Sequence, residues 1–595
     1  MCGIFVLLNN NYTFKNKDII ETFKKGVNRG PEYSELIQLN KYESIMFGFH
    51  RLAINGLNKE ANQPMTIGNI VLICNGEIYN YKELYEKLEM QPTTDSDCEI
   101  IIHLYKRYGM EYTLHLLDGV FAFALYDDGA DFNRDSLLYI ARDPYGVRPL
   151  YSMIKKVKRT DNVILNYMNE SVIGFSSEIK VFTDLFSSPM YYDSTAKISH
   201  VEPGSYMTYM VENSEWTLKK SARYHNFVFN TGLLEPRKNL INYSKINDHD
   251  SVENRLYRGI CIFLNKAIEK RIVGTTDRQI ACLLSGGLDS SIIAALVARY
   301  YKGAGIVLET YSIGMEGSED LKYAQMVADH IGSKHTSVVV TEDDFFNAIP
   351  EVIEVIESYD TTTVRASVGN YLLGKYIKQH SKAKVIFNGD GSDELTGGYL
   401  YLQEAPDDLE FDRECKRLLT DIHAFDVLRS DKCISSHGLE PRTPFLDRAW
   451  VNYYLSIPSS LRNHANNPAD KEIEKHCLRF AFSLYEPEIL PLEILWRKKE
   501  AFSDGVSGAN KSWYQVIQER LKTCSDYDID ASDDEVDKYH NHNIPTTKEQ
   551  RYYRNIYDKL YPNTANVVPY LWMPKYVKAS DPSARTLKIY KPENQ

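Results

Sequence analysis

The second half of this 595-residue chain alternates apolar segments with segments of helical spacing, and this alternation constrains the fold most strongly. Strands that alternate with helices predict a parallel, doubly wound α/β sheet, in which ligands bind beyond the carboxyl ends of the strands. The expected strands are 279–284, 306–313, 336–340 and 384–387, and the expected helices are 291–301, 321–331, 344–357 and 367–379.

The chain is too long for one hydrophobic core, so more than one domain is expected. Its first 200 or so residues show short β-type segments and two helical segments. A polar, mixed stretch follows, and the chain after residue 430 has helical and loop-like patterns. We therefore predict an N-terminal domain at 2–210, a connecting segment at 211–250, a second domain at 251–578 and a loose tail at 579–595.

Composition excludes several functional classes. The net charge of −12 argues against broad binding to nucleic acids or anionic membranes. No apolar run approaches the ~18 residues that a membrane-spanning helix needs, and the first residues lack a signal-peptide pattern. Nine scattered cysteines without a CxxC pair indicate free thiols in a reducing, cytoplasmic compartment. The sequence leaves the oligomeric state open, with a homodimer as one candidate.

Cys2 is the first residue whose type and position indicate a catalytic role. If Met1 is removed, Cys2 carries both a thiol and a free α-amine. An α-amine with an ordinary pKa of about 7.7–8.0 can act as a base toward the thiol. A cysteine near an N-terminus is more often an ordinary small residue, so other residues must decide between the two interpretations.

A glycine-containing loop joins the first strand of the second half to its helix. The glycines allow close approach of a ligand, and the helix N-terminus offers N–H donors to an anion. Asp289 adds a carboxylate that suits Mg²⁺ beside phosphate oxygens. The loop has no lysine in the P-loop position. Its sequence is Leu284-Ser285-Gly286-Gly287-Leu288-Asp289-Ser290-Ser291.

This loop resembles the pyrophosphate-binding loop of ATP pyrophosphatases, which adenylate a carboxyl or carbonyl group. Together with Cys2, the resemblance extends over nearly the whole chain to the glutamine-hydrolysing asparagine synthetases. Members of that family fuse a class II glutamine amidotransferase to an adenylating synthetase domain. The resemblance implies two folds: an N-terminal α+β domain, the four-layer αββα sandwich of N-terminal-nucleophile hydrolases, and a C-terminal α/β doubly wound parallel sheet, adenine nucleotide α-hydrolase-like, with a helical extension.

In the N-terminal half, the resemblance implies a glutaminase site around Cys2. Asn75 and Gly76 would hold the oxyanion, Arg51 the glutamine α-carboxylate, and Glu77 with Asp97 the α-ammonium. Taken singly, Arg51 also fits a surface ion pair, Asn75-Gly76 a hairpin turn and Asp97 a helix N-cap. The implied glutamine-binding set is Arg51, Leu52, Ala53, Ile54, Asn55, Asn75, Gly76, Glu77 and Asp97.

In the C-terminal half, the resemblance implies an adenylation site. Asp289 and Asp393 would hold Mg²⁺, and Lys499 would meet the α-phosphate. Thr362, Thr363 and Arg365 would bind aspartate. The implied ATP-binding set is Leu284, Ser285, Gly286, Gly287, Asp289, Ser290, Ile313, Asn388 and Gly389.

One loop departs from the family pattern. The chain has Asn388-Gly389-Asp390-Gly391-Ser392-Asp393-Glu394 where the family usually has S-G-E-G-S-D-E. The family's glutamate is tied to forming the adenylate and accepting a proton from ammonia. Asp390 keeps the carboxylate but is one methylene shorter, so we expect a catalytic role with altered efficiency. A solvated loop acid is the alternative interpretation.

The resemblance implies ATP-dependent synthesis of L-asparagine from L-aspartate with glutamine as nitrogen donor. The intermediates would be a glutamyl thioester on Cys2 and β-aspartyl-AMP, and the by-products AMP, pyrophosphate and glutamate. ATP as substrate, Mg²⁺ and small molecules would be the ligands, without nucleic acid or membrane. Two alternatives stay open: a relative acting on another acid, such as a β-lactam-forming synthetase, and a regulatory homologue with weak or no activity, which Asn388 and Asp390 alone support.

Overall fold

A computed structural model describes residues 1–11, 13–40, 44–129, 135–156, 171–186, 196–226, 252–466, 473–499, 505–507, 511–528, 539 and 541–590. Much of the predicted connection (227–250) and residues 500–504 of the loop that follows Lys499 lie outside these ranges. No helix in the described ranges combines the length and apolar character that crossing a membrane requires.

The first half consists of two six-stranded antiparallel sheets. One has the order β10-β8-β9-β1-β3-β2, and the other has the order β12-β11-β7-β6-β5-β4. The strands are β1 (Gly3–Leu8), β2 (Tyr33–Asn40), β3 (Ile45–Arg51), β4 (Met65–Ile67), β5 (Ile70–Ile78), β6 (Gly119–Asp127), β7 (Leu137–Arg142), β8 (Tyr151–Lys156), β9 (Ser171–Ser176), β10 (Ala196–His200), β11 (Ser205–Glu212) and β12 (Glu215–Arg223).

The two sheets pack face to face, and helices cover their outer faces. Successive side chains of a strand point to opposite faces, so in β1 Val6 packs between the sheets while Phe5 packs outward near Phe23. In β5, Ile73 likewise points inward and Leu72 outward. The covering helices are α1 (Asn16–Lys24), α2 (Tyr81–Leu88), α3 (Ile100–Tyr108), α4 (Met110–Leu116) and α5 (Thr183–Phe186).

The second half is built on a five-stranded parallel sheet. Its order is β15-β14-β13-β16-β17, so the order reverses between β13 and β16. At such a reversal the adjacent loops diverge to opposite faces and leave a crevice for ligands. The strands are β13 (Ile280–Leu283), β14 (Glu309–Met315), β15 (Lys334–Val340), β16 (Val385–Phe387) and β17 (Glu440–Arg442).

Helices cover both faces of this sheet. Cys282 of β13 packs toward one apolar cluster and Leu283 toward another, as burial on both faces requires. The helices are α6 (Val252–Ile272), α7 (Leu288–Gly303), α8 (Glu319–Ile331), α9 (Glu342–Ile356), α10 (Thr361–His380), α11 (Ser392–Thr396), α12 (Asp408–Asp421), α13 (Asp426–Ser435), α14 (Arg448–Ser456), α15 (Ser459–Arg462), α16 (His476–Tyr485), α17 (Leu492–Leu495), α18 (Trp513–Lys522) and α19 (Lys548–Leu560).

Short 3₁₀ helices connect these elements. The ones within the described residues are Val27–Arg29, Asp97–Glu99, Ile179–Val181, Leu400–Glu404, Ile422–Ala424, Pro444–Leu446, His464–Asn466, Ser525–Tyr527, Ala565–Val567 and Ala584–Thr586.

The parallel α/β sheet predicted for the second half is present, and each of its four predicted strands overlaps an observed one. The fifth strand, Glu440–Arg442, was not predicted, because its sequence Glu-Pro-Arg lacks the apolar residues that mark the equally short strand Val385–Phe387. In the first half, β12 (Glu215–Arg223) falls inside the predicted connection 211–250 and pairs with β11. Its alternation of polar and apolar residues is weak, since this edge strand is largely exposed.

The two halves share a buried boundary. Leu52 and Tyr79 of the first half belong to the same apolar cluster as Ile260 and Leu264 of α6. Buried ion pairs cross the boundary as well: Arg29 Nη1 lies 2.7 Å from Asp431 Oδ1 on α13.

We expect Asp431→Asn to lower the free energy of unfolding by about 3 to 5 kcal/mol, because it removes the carboxylate charge that lies closest to the buried Arg29 guanidinium. Urea or thermal unfolding followed by circular dichroism measures this. The matched control is Asp184→Asn, which removes a half-exposed ion pair with Lys25 and should cost at most about 1 kcal/mol. If both variants lost the same free energy of unfolding, the buried pair would stabilise the fold no more than the half-exposed pair does.

Candidate active sites

Cys2 lies just before β1, at the boundary between the two halves. Its thiol faces the backbone carbonyl of Leu52 at 3.7 Å, and its backbone N–H donates to Asn75 Oδ1 at 3.2 Å. Burial raises the pKa of the Cys2 thiol. The thiol therefore keeps its proton near neutral pH, and a nucleophilic attack needs a base to accept that proton.

Met1 occupies a buried position next to this thiol. Its α-amine lies 3.8 Å from Glu440 Oε2, which belongs to β17 of the second half. Burial lowers the pKa of this amine, while Glu440 opposes the shift. An amine in this part of the structure is thus biased toward its neutral form, which is the form that accepts a proton.

Asn75 and Gly76 lie within β5 and pair with β6, so the hairpin-turn alternative is wrong. A Cβ on Gly76 would lie 2.4 Å from the carbonyl oxygen of Val120, so only glycine fits there. Asn75 Oδ1 is bonded to Cys2, whereas its buried Nδ2 has no hydrogen-bond partner among the described residues. An oxyanion formed beside Cys2 would satisfy this buried donor.

Arg51 lies at the end of β3, close to Cys2. Its guanidinium donates to the carbonyl oxygens of Asn55, Gly56 and Asn58 and to Asn62 Oδ1, at 2.6–3.3 Å for the bonds other than that to Gly56. Within the described ranges no carboxylate forms an ion pair with Arg51, so the surface ion-pair alternative is wrong. The guanidinium charge is available to an anion, but its N–H donors already form hydrogen bonds with residues 55–62.

Residues 52–55, which follow Arg51 in the chain, continue along the same side of the Cys2 site. Leu52 contacts the thiol through its carbonyl, and the N–H of Ala53 donates to Glu32 Oε2 at 2.7 Å. Ile54 packs in the apolar cluster that joins the halves. Asn55 Nδ2 is a buried donor without a partner in the described part of the chain. Segment 52–55 thus combines apolar packing with one buried donor, Asn55 Nδ2, that could bind a ligand.

Glu77 and Asp97 form a buried acidic pair near Cys2. Asp97 Oδ2 accepts the N–H of Ile78 at 2.6 Å, and burial raises the pKa of Asp97 to about 6. Burial, reinforced by Glu440 and Asp97, also raises the pKa of Glu77. The N-cap alternative for Asp97 is wrong, because Ser96 caps the short helix there. Two carboxyls held in this way suit a cationic ligand.

The sequence did not predict that residues of the second half would support Cys2 and its neighbours. Arg29 Nε donates to the carbonyl oxygen of Cys2 at 2.9 Å, while Arg29 Nη1 bonds Asp431 and Ser435 of α13 at 2.7 and 2.9 Å. Arg442 of β17 lies 3.4 Å from Glu77 Oε2. The residues predicted to form the glutaminase site are therefore held in place partly by residues of the second half.

A cavity of about 710 Å³ opens at the carboxyl ends of β13 and β16, where the strand order reverses. Of the predicted ATP-binding set, only Gly286 does not line it. The predicted residues that line the cavity are Leu284, Ser285, Gly287, Asp289, Ser290, Ile313, Thr362, Asn388, Gly389, Asp390, Asp393 and Lys499. Residues that are 100 positions apart in the chain are brought together here.

The loops after β13 and β16 touch each other. A Cβ on Gly389 would lie 2.9 Å from Asp289 Cβ and from the backbone nitrogen of Ser290, so a side chain there would push the loops apart. Ser392 Oγ donates to Asp289 Oδ1 at 2.8 Å across the same gap. This contact sets the spacing between the two loops.

Lys475 bridges the two carboxylates predicted to bind metal. It is buried, has a left-handed backbone with φ of 61°, and its Nζ contacts Asp289 and lies 2.5 Å from Asp393 Oδ1. Lys499 Nζ lies 2.5 Å from Asp393 Oδ2. These cations hold the pKa of Asp393 below its usual range despite burial. Nothing in the spacing around Lys475 marks it in the sequence.

Asp390 is held by α13. Its Oδ1 lies 3.0 Å from Arg429 Nη2, and its buried Oδ2 has no hydrogen-bond partner in the described structure. Asn388 Nδ2 donates to Ser430 Oγ at 2.7 Å. Burial raises the pKa of Asp390 against the opposing effect of Arg429. The carboxyl is thus a fixed group facing the cavity rather than a solvated loop acid.

The three predicted aspartate ligands have different surroundings. Thr362 lines the cavity, and its buried hydroxyl lacks a hydrogen-bond partner within the described residues. Thr363 donates to Asp360 Oδ2 at the start of α10. Arg365 forms paired hydrogen bonds of 2.6–2.8 Å with Glu549 and Asp581. The expectation for Arg365 is corrected: its carboxylate partners come from the chain itself.

Comparison with known proteins agrees with this two-site geometry. The glutamine amidotransferase domain model matches residues 1–221, and the asparagine synthase model matches residues 262–407 and 403–574. Asparagine synthetase (glutamine-hydrolyzing) from Gallus gallus is 39% identical over 597 residues, 99% of each chain. The enzyme of that name from Homo sapiens is 39% identical over 599 residues, again 99% of each chain.

Among solved structures, an NMN synthetase from Francisella tularensis is 11% identical, covers 54% of this chain and 97% of its own, and gives a TM-score of 0.23. A likeness of that size supports no inference. The family models and the full-length relatives do, and the chain belongs to the family of glutamine-hydrolysing asparagine synthetases.

Proposed function

We propose that this chain synthesises L-asparagine from L-aspartate, with ATP as the energy source and glutamine as the nitrogen donor. The observation that carries the proposal is the presence of two separate candidate sites in one chain. Cys2 stands beside an unpartnered Asn75 Nδ2, and a separate cavity brings together Asp289, Asp390 and Lys499. The alternative of a β-lactam-forming relative is disfavoured, because it has no use for a glutaminase site.

Glutamine hydrolysis would take place at Cys2. After removal of Met1, the α-amine of Cys2 takes the thiol proton while sulfur attacks the amide carbon. The oxyanion receives hydrogen bonds from Asn75 Nδ2 and the Gly76 N–H. The C–N bond breaks, and the amine passes its proton to the departing ammonia. Water then cleaves the thioester and releases glutamate.

Glutamine would be held by its charged ends. The Arg51 guanidinium faces the α-carboxylate, and the buried pair Glu77 and Asp97 faces the α-ammonium. An ammonium group gains more from carboxylates in a buried site than in water, because the local dielectric constant is lower. The charge pattern selects an α-amino acid rather than a simple amide.

Adenylation would take place in the 710 Å³ cavity. The β-carboxylate of aspartate attacks the α-phosphorus of ATP, and the bond to pyrophosphate breaks. Lys499 balances the charge that develops on the phosphate. Ammonia from the first site then attacks the carbonyl carbon, AMP leaves, and Asp390 accepts the surplus proton.

Mg²⁺ would be held by Asp289 and Asp393. The fit rests on their geometry: both carboxylates face one point, where Lys475 now contacts them. The described residues contain no group of three or more metal-ligating side chains, so phosphate oxygens and water would complete the coordination. When bound, the ion shields the charge of the pyrophosphate.

The proposal also covers the folds of the two domains and the cellular compartment of the protein. The layers of helix, sheet, sheet and helix behind Cys2 support the N-terminal-nucleophile hydrolase sandwich. The strand order of the parallel sheet supports the adenine nucleotide α-hydrolase-like fold, and the first domain would extend past residue 210 to include β12. Free thiols at all nine cysteines support a cytoplasmic setting. The homodimer stays a prediction.

Purified protein with aspartate, ATP and Mg²⁺ should form asparagine, AMP and pyrophosphate with either glutamine or ammonium as nitrogen source. In Cys2→Ala we expect the glutamine-dependent rate to fall more than about 1000-fold, because the nucleophile is lost. The ammonium-dependent rate should stay, because that site is separate. Absence of pyrophosphate in the wild type would refute the synthetase assignment, and loss of both routes in Cys2→Ala would refute separate sites.

Glutamine use should also depend on the charge of Asp97. Since its pKa is raised to about 6, the carboxyl is charged above that pH and neutral below it. We therefore expect kcat/KM for glutamine to fall as the pH drops through about 6. Glu77 and the α-amine titrate in the same site, so Asp97→Asn is the control. Asp97→Asn should bind glutamine weakly, and its kcat/KM should no longer fall as the pH drops through about 6. If its pH profile matched that of the wild type, Asp97 would have no role in binding glutamine.

Asp390 provides a third test. We expect Asp390→Ala to lower asparagine synthesis about 100-fold or more, as loss of a general base does, while glutaminase activity persists. Asp390→Glu should keep or raise the synthetic rate, because the longer side chain restores the usual reach. Steady-state rates from ammonium and from glutamine measure both effects. Full synthesis by Asp390→Ala would contradict the assigned role.

A further inference from the structure

The segment from Asp581 to Tyr590 forms part of the wall of the synthetase cavity. From its sequence we expected a loose tail, yet Ala584, Lys588, Ile589 and Tyr590 line the same cavity as the loops after β13 and β16. A short 3₁₀ helix, Ala584–Thr586, lies within the segment. Two attachments explain why it lies there.

The first attachment is an ion pair at Asp581. Arg365 Nη1 and Nη2 donate to the two oxygens of Asp581, each at 2.8 Å, and Gln518 Nε2 adds a bond of 3.1 Å. Asp581 also accepts the N–H of Ser583 at 2.8 Å, which turns the chain at this point. Burial alone would raise the pKa of Asp581, but Arg365 lowers it, so the pair stays charged. Paired, bidentate contacts of this kind fix orientation as well as position.

The second attachment is apolar. Leu587 is buried in a cluster with Leu402, Phe411 and Trp572, and Ile589 packs against that cluster. Leu402 belongs to the 3₁₀ helix Leu400–Glu404, which lines the cavity from another side. The segment is therefore held at Asp581 and at Leu587, with Lys588 next to the second attachment.

Lys588 differs from the other cations of the cavity. Lys475, Lys499 and Arg429 are each paired with a carboxylate of the site. Lys588 is exposed toward the cavity and forms no ion pair with any described residue. An ammonium group at the rim of a cavity that receives anionic substrates has a free charge to offer them.

We propose that the segment Asp581–Tyr590 is a component of the synthetase site and that Lys588 binds an anionic group of its substrates. The shared chemistry is an oxyanion, either a phosphate of ATP or a carboxylate of aspartate. Arg365, anchored to Asp581, is a positioning residue for this segment. The proposal rests on the proposed function for the identity of the substrates and adds a residue that no motif of the family resemblance includes.

The test compares Lys588→Ala with Lys578→Ala. Lys578 is also an exposed lysine, ten positions earlier, but it does not line the cavity. The probes are α,β-methylene ATP with Mg²⁺, which cannot be split to pyrophosphate, and aspartate added after it, both followed by calorimetry. We expect Lys588→Ala to weaken one of the two about five-fold or more and Lys578→Ala to leave both unchanged. Weaker binding of the analogue identifies a phosphate as the partner, and weaker binding of aspartate alone identifies a carboxylate.

Lys588→Arg should restore most of the affinity, since it restores the charge. Asp581→Asn should weaken the same ligand, because the segment loses its ion pair, while glutaminase turnover at Cys2 stays at the wild-type rate. Binding of both probes to Lys588→Ala with wild-type affinity would overturn the proposal. These measurements need no turnover, so a protein that binds the probes but forms no asparagine would refute the proposed function and leave this inference standing.

Discussion

The buried contact between Arg29 and Asp431 is the interaction on which the arrangement of both halves depends. One guanidinium binds the backbone carbonyl of Cys2 through Nε and a carboxylate of the other half through Nη1. Neither charge reaches water, and each has a second partner: Arg29 Nη1 lies 4.0 Å from Glu178, and Asp431 Oδ2 lies 3.5 Å from Arg148 Nη1, so the pair is tolerated as part of a buried network of opposite charges. Separating the halves would break the shortest ion pair of Arg29, and the position of Cys2 is set by residues on both sides of the boundary.

Helix α13 extends this constraint to the second site. Asp431 points from it toward Arg29, while Arg429, two residues earlier, pairs with Asp390 at the cavity. Successive residues of a helix point in different directions, so one short helix can serve two sites at once. Its neighbour Ser430 holds Asn388, which replaces the serine usual in the family. Asp390, which replaces the family's glutamate, is thus held in place by residues of α13. This favours a catalytic role for Asp390 over a loop that has lost its function.

The sequence predicted what is local and missed what is distant. The loop around Asp289 follows a strand directly, so its position at the edge of the sheet could be inferred from neighbours alone. Arg29 and Asp431 are 402 positions apart, and no periodicity connects them. Arg365 was misassigned for the same reason, since its partners lie 184 and 216 positions further along the chain. A motif identifies a residue type that suits an anion, but only the fold shows whether the chain has already supplied one.

Charge balance explains how a chain of net charge −12 can bind a polyanion. The cavity contains the carboxylates of Asp289, Asp390 and Asp393, which alone would repel ATP. Lys475, Lys499 and Arg429 neutralise them at 2.5–3.0 Å or closer, within a cavity where such interactions are weakly screened. The acidic and basic side chains that line the cavity are therefore equal in number, so the phosphates would meet a balanced set of charges rather than the net negative charge of the whole chain. Asp289 and Asp393, the two carboxylates proposed to hold Mg²⁺, are the ones that Lys475 contacts, so in this structure the ammonium group of Lys475 balances the charge that the ion would otherwise meet.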